Sequence, residues 1–187
     1  MFIIDAMTVL ILHGIEGKAG DHWEQWLHDQ LIGKGYTVIM PNLPHSEHPD
    51  RATWLNVIKK SLEDVPLEEL VIVGHSLGVT AALDFIEQAS GNVEALVSIS
   101  GFAYDYGSDL NNYYLGKKDI DFTKVHKHLK QSFILYGDND PYVPQEVLQN
   151  LSKSLDVVPT VIPQGGHLNT SAGFTSFPAL LQLIDSL

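Results

Sequence analysis

There is no cysteine among the 187 residues. That excludes disulfides, thiolate zinc sites and a cysteine nucleophile, and it fits a reducing, cytoplasmic setting. Basic residues are scarce. Lys and Arg number 11 and Asp and Glu 23, so 11 − 23 leaves a net charge of −12. Such a chain lacks the cationic footprint of a phosphate-backbone binder, so nucleic acid is not an expected partner, nor is an anionic membrane surface. No apolar run approaches the roughly 20 residues of a membrane-spanning helix. The apolar opening, MFIIDAMTVLILHG, has no basic flank and no small-residue cleavage site, and Asp5 interrupts it, so no targeting segment is expected. Charged residues make up only 18% and hydrophobic ones 44%. With this length, that points to a single globular domain over 1–187 rather than a disordered or fibrous chain.

What is present alternates. Short runs rich in Val, Ile and Leu read as buried strands at 8–13 (TVLILH), 36–40 (YTVIM), 70–73 (LVIV), 95–100 (ALVSIS), 133–136 (FILY) and 157–162 (VVPTVI). They are continuous rather than alternating, as expected of strands covered on both faces. Pro159 in the last run suits an edge strand, where a missing donor costs least.

Helical stripes lie between them. Asp21 and Glu24 have the spacing of a capping box ahead of Trp23, Trp26, Leu27 and Leu31. Trp54, Leu55, Ile58 and Leu62 make a second stripe, 77–89 a third, Val147 to Leu155 after Pro144 a fourth, and Phe177 to Ile184 the last. Strand–helix alternation of this kind predicts a parallel sheet with helices on both sides. One stretch breaks the rhythm. The segment 101–122 (GFAYDYGSDLNNYYLGKKDIDF) is a long loop of the kind usually tied to function.

Chemistry concentrates where strands end. Gly74-His75-Ser76-Leu77-Gly78 sits between a strand and a helix, as a G-x-S-x-G nucleophile elbow must. The sharp turn would push the Ser76 hydroxyl above the sheet, next to a helix N-terminus that favours developing negative charge. His75 is expected to point away from the nucleophile. His167, in GGHL after the last strand, is the candidate base. Tyr136-Gly-Asp138-Asn-Asp140 follows the FILY strand and offers two carboxylates to orient it, and residue type alone leaves Asp138 and Asp140 open. The order Ser, Asp, His matches α/β-hydrolases. His13-Gly14-Ile15-Glu16-Gly17, after the first strand, would supply an oxyanion-hole N–H alongside that of Leu77. Ile15 is favoured, with Gly14 and Glu16 as alternatives. Neither G-x-G-x-x-G nor a P-loop is present. His45, His48 and Asp50 read as a solvated turn rather than a metal site, and His126 and His128 as surface.

Together these motifs resemble the α/β-hydrolase fold, and more narrowly the small serine hydrolases of the retinoblastoma-binding-protein-nine and YdeN type. The resemblance runs from the HG loop through HWEQWL, PNLPHSEHPDRATW, GHSLG and GDNDPYVP to GGHL. It implies a six-stranded parallel sheet without a separate lid domain, and activity on small esters with no metal or organic cofactor. It places the nucleophile on Ser76, the base on His167 and, through D-x-x-[VL]-P, the acid on Asp140. Pro44 and Trp54 match a structural Pro-then-Trp pattern. The Leu-x-Cys-x-Glu retinoblastoma-pocket motif cannot occur without cysteine, which removes the binding role behind the family's name and leaves protein partners open.

With only 101–122 to act as a cap, an open site for small-molecule esters is expected, with Tyr142 and Tyr104 as candidate pocket residues. Thioester, amide or peptide cleavage shares the apparatus, and a non-catalytic interaction module is the alternative outside enzymes. The acidic charge disfavours anionic substrates such as acyl-CoA.

Overall fold

The computed structural model describes residues 7–187, so the reading of the apolar opening at 1–6, Asp5 included, lies outside the described residues. The six apolar runs supply β1 (Thr8–Leu12), β2 (Thr37–Ile39), β3 (Leu70–His75), β4 (Val93–Ile99), β5 (Leu129–Gly137) and β6 (Thr160–Ile162). They form one sheet in the order β2-β1-β3-β4-β5-β6, with every pairing parallel. Helices α1 (Glu24–Gly33), α2 (Arg51–Ser61), α3 (Leu77–Ile86), α4 (Asn112–Leu115), α5 (Phe122–His128), α6 (Gln145–Ser154) and α7 (Pro178–Asp185), with short 3-10 turns at Leu67–Glu69 and Thr170–Ala172, complete the described elements.

Strand periodicity divides the core in two. Val9, Ile11, Val71 and Val73 pack with Leu27 and Leu31 of α1 and Leu180 and Ile184 of α7. Leu10, Leu12 and Ile72 pack on the opposite face with Ile58 of α2, Ala81 and Leu83 of α3 and Leu148 of α6. Successive strand residues point to opposite faces and both faces are covered, which is why residues 9–12 of β1 and 70–73 of β3 are apolar without interruption. Both are buried throughout, whereas the edge strands β2 and β6 are short and partly exposed.

Several boundaries differ from the sequence expectation. The Asp21–Glu24 capping box does not form. Trp23 is an N-cap without a side-chain bond, and Glu24 accepts from the Gly20 N–H at 3.1 Å. A tertiary contact sets this entry: the Trp23 indole N–H donates to Leu168 O at 2.9 Å, 145 residues away. Side-chain caps form at other helices: Asp50 of α2 accepts from the Thr53 N–H at 2.8 Å, and Asp121 caps α5. Helix α3 stops at Ile86, short of Ala89, and Pro159 precedes the edge strand β6 instead of interrupting it. The segment 101–122 carries α4 and buries Phe102, Tyr114 and Leu115. No described helix is long and apolar enough to cross a membrane.

Candidate active site

The C-terminal ends of β1, β3, β5 and β6 open onto one cleft of about 260 Å³. Ser76 stands at its floor between β3 and α3 with φ 55° and ψ −125°, a left-hand-side backbone strained for any residue with a Cβ. Its N–H is held by Ile99 O at 2.9 Å. The turn closes only because its neighbours are small. A Cβ on Gly78 would lie 2.6 Å from both Leu12 O and His13 O, and one on Gly74 3.0 Å from the Val79 backbone. The strain therefore fits the elbow reading.

His167 lies 7% exposed on the loop after β6. Its Nδ1–H donates to Asp140 Oδ2 at 2.7 Å, and no other hydrogen bond engages the ring among the described residues. Asp140 Oδ1 in turn accepts from the Tyr142 and Val143 N–H groups at 2.9 and 3.0 Å, which fixes the carboxylate. Asp138, the competing carboxylate, is occupied elsewhere: its Oδ1 accepts from the Gln164 N–H at 2.7 Å. Asn139 accepts from the Gly166 N–H at the same distance. Asp138 and Asn139 thus lace the acid loop to the base loop, and Asp140 alone reaches the imidazole.

The base loop is also anchored from below. His75 Nε2–H donates to His167 O at 3.0 Å, and the two ring centroids are 4.9 Å apart. The sequence expectation is that His75 faces away from the nucleophile. It is 3% exposed, but it lines the cleft beneath His167. Burial, and then the charge His167 can carry, hold the His75 pKa well below the usual histidine range, so it stays neutral. His13 is buried as well, its pKa also lowered by burial. It accepts from the Leu43 N–H at 2.9 Å and donates from Nδ1 to Gly14 O at 2.8 Å, which steadies the loop after β1.

In that loop the Glu16 N–H is committed to Ser46 O at 2.7 Å, which removes one of the three oxyanion candidates. The Ile15 and Leu77 N–H groups have no hydrogen-bond partner among the described residues. Gly14 lies against the nucleophile: a Cβ there would sit 2.9 Å from Ser76 Cβ.

The remaining walls were largely illegible in the sequence. Tyr142 lines the cleft, its ring edge-on to His167 at 5.2 Å between centroids. Tyr104 is not part of the cleft. It donates from its hydroxyl to Ser154 Oγ at 2.5 Å and stacks on Phe122, while Tyr106, Leu110 and Asn111 of the same segment line the site. His22 and Glu24 complete another wall. Glu24 is fully buried, with one oxygen lacking a partner, and burial pushes its pKa up to about 8. Its sequence signal was the false capping box. His45 and His48 do not line the cleft, and His48 stacks on Tyr113 at 3.9 Å.

Comparison with known proteins shows the family. A family model described as serine hydrolase matches residues 9–186. YdeN of Bacillus subtilis is 28% identical over 183 residues, 95% of this chain and 94% of its own. Serine hydrolase RBBP9 of Rattus norvegicus is 23% identical over 176 residues, 91% of this chain and 89% of its own. The crystal structure of B. subtilis YdeN superposes with a TM-score of 0.89 at 26% identity, covering 97% of this chain and 98% of that one. The chain therefore belongs to the serine hydrolase family, with the α/β-hydrolase fold of the YdeN and RBBP9 type.

Proposed function

We propose that the protein hydrolyses small carboxylic esters through a Ser76–His167–Asp140 triad and an acyl-enzyme. The observation that carries this reading is the convergence, in one small cleft, of a strained Ser76 and an imidazole already oriented by Asp140 at 2.7 Å.

The Ser76 oxygen adds to the ester carbonyl carbon while its proton passes to His167 Nε2. Asp140, accepting from Nδ1–H, holds the tautomer that leaves Nε2 free to take it. The carbonyl oxygen becomes an oxyanion received by the Ile15 and Leu77 N–H groups, the latter at the first turn of α3. Collapse breaks the bond to the alcohol, which leaves with the proton from His167. Water then repeats the sequence on the acyl-enzyme and returns Ser76. A neutral His75 under His167 adds no positive charge beside the imidazolium that forms at each step.

The cleft volume of about 260 Å³ supports a small acyl or alcohol group. Glu16 and Asp21 line it, and among the described residues no Lys or Arg does, which disfavours phosphorylated or CoA-bound substrates.

A fluorophosphonate probe is expected to label the native protein and spare Ser76→Ala. Folded native protein that resists the probe would refute the triad. Turnover of p-nitrophenyl esters, acyl-CoA and aminoacyl amides side by side then assigns the class, and amide rates equal to ester rates would contradict the esterase reading.

A further inference from the structure

The PNLPHSEHPDRATW motif contributes one residue that the proposed chemistry does not use. Arg51 opens α2, away from the cleft, and only 6% of it is exposed. Its guanidinium makes a two-pronged bond to Asp84 of α3, with Nε to Oδ2 at 2.7 Å and Nη2 to Oδ1 at 2.9 Å. The remaining nitrogen, Nη1, collects three backbone carbonyls: Tyr114 O at 3.2 Å, Leu115 O at 3.3 Å and Lys118 O at 2.7 Å. Tyr114 and Leu115 are the last two residues of α4, whose terminal carbonyls have no partner within the helix. A cation there is also favoured by the helix dipole.

The other end of α4 reaches the cleft. Asn111, the residue before the helix, lines the site together with Leu110 and Tyr106 and bonds the Tyr106 hydroxyl at 3.0 Å. Helix α4 is thus a short strut with its C-terminal end on Arg51 and its N-terminal end in the cleft wall. Two further buried groups of α3 and its C-terminus tie down the ends of the segment. Thr80 Oγ1 donates to Phe102 O at 2.7 Å, and Glu87 accepts from the Asp121 N–H at 3.0 Å. Between these ties Arg51 is the central anchor, and a fork of planar donors is the side chain that can serve a carboxylate and several carbonyls at once.

We propose that Arg51 is a positioning residue that sets substrate preference, by holding α4 so that Tyr106, Leu110 and Asn111 form the wall against which the substrate packs. This rests on the hydrolase reading of the cleft. It is separate from the bond-making groups, because Arg51 touches neither Ser76 nor His167.

The test compares native protein with Arg51→Lys and Asp84→Asn. Lysine keeps a cation opposite Asp84 but cannot also fork to three carbonyls. Circular dichroism and melting establish which variants fold. Each is then assayed with p-nitrophenyl acetate and p-nitrophenyl hexanoate, and by its rate of fluorophosphonate labelling. The expected result is a shift of about tenfold in the hexanoate-to-acetate ratio of kcat/KM, arising mainly in KM, with labelling at Ser76 close to native. Hydrogen exchange in 106–116 is expected to quicken in the same variants. Folded variants with an unchanged ratio, or an equal fall for both esters and for labelling, would overturn the role of Arg51. So would unfolding of both variants, since Arg51 would then be a determinant of the fold. Native protein that resists labelling would overturn the triad reading, and this proposal with it.

Discussion

Asp140 and His167 meet across the junction of two loops at 2.7 Å, while Asp138, only two residues earlier, spends its carboxylate on the Gln164 backbone at the same distance. Two neighbouring carboxylates therefore carry different duties, one toward the imidazole and one toward the loop that bears it.

This division predicts unequal losses. Asp140→Asn should lower kcat on a p-nitrophenyl ester by about 10³- to 10⁴-fold, because the amide no longer selects the productive tautomer. Asp138→Asn retains an accepting oxygen for Gln164 and should stay within about tenfold of native. Steady-state kinetics decide it, and equal losses would contradict the assignment of Asp140 as the orienting acid.

Gly14 and Gly78 separate activity from stability. An alanine methyl at Gly78 would press on Leu12 O and His13 O at 2.6 Å, backbone atoms that cannot yield cheaply. Gly78→Ala should cost about 1–3 kcal/mol in chemical denaturation. At Gly14 the methyl would meet Ser76 Cβ at 2.9 Å and Oγ at 3.4 Å, crowding the nucleophile. Gly14→Ala should slow labelling of Ser76 by about tenfold or more, a larger effect than its loss of stability. Labelling at the native rate would show that Gly14 does not crowd the reacting hydroxyl.

Glu24 predicts an inverted pH dependence. Burial raises its pKa from 4.5 to about 8, so between those values the folded protein holds a proton that the unfolded chain has released. Stability linked to this group is complete below the unfolded value and falls as pH rises through the folded one. Glu24→Gln removes the penalty and should stabilise the protein at pH 7 by up to about 3 kcal/mol, with the gain shrinking toward pH 5. Urea midpoints at the two pH values read this directly, and an equal shift at both would contradict a buried, protonated Glu24.

Much of the molecule was legible in one dimension, because its determinants are local. Runs such as TVLILH and LVIV must be strands buried on both faces, and their alternation with helical stripes dictates a parallel sheet. G-x-S-x-G carries its own geometry, since only glycines admit the turn that strains Ser76. The position of GGHL after the last strand marked His167 for the same edge of the sheet. Where local signals competed with distant contacts, they misled. The Asp21–Glu24 spacing is that of a cap, but the Trp23 bond to Leu168 sets the start of α1 and buries Glu24.

The chain by itself determined the sheet, the strained nucleophile and the loops that bring acid and base to it. Motif resemblance then favoured Asp140, but only the folded structure showed which carboxylate reaches His167. It also showed that Tyr106 rather than Tyr104 lines the cleft, and that Arg51 bonds the carbonyls at the far end of α4. The reason is physical. Strand, turn and elbow follow from steric rules acting over a few residues. The choice among identical side chains depends on which partners, 27 to 67 positions away, arrive within hydrogen-bond reach.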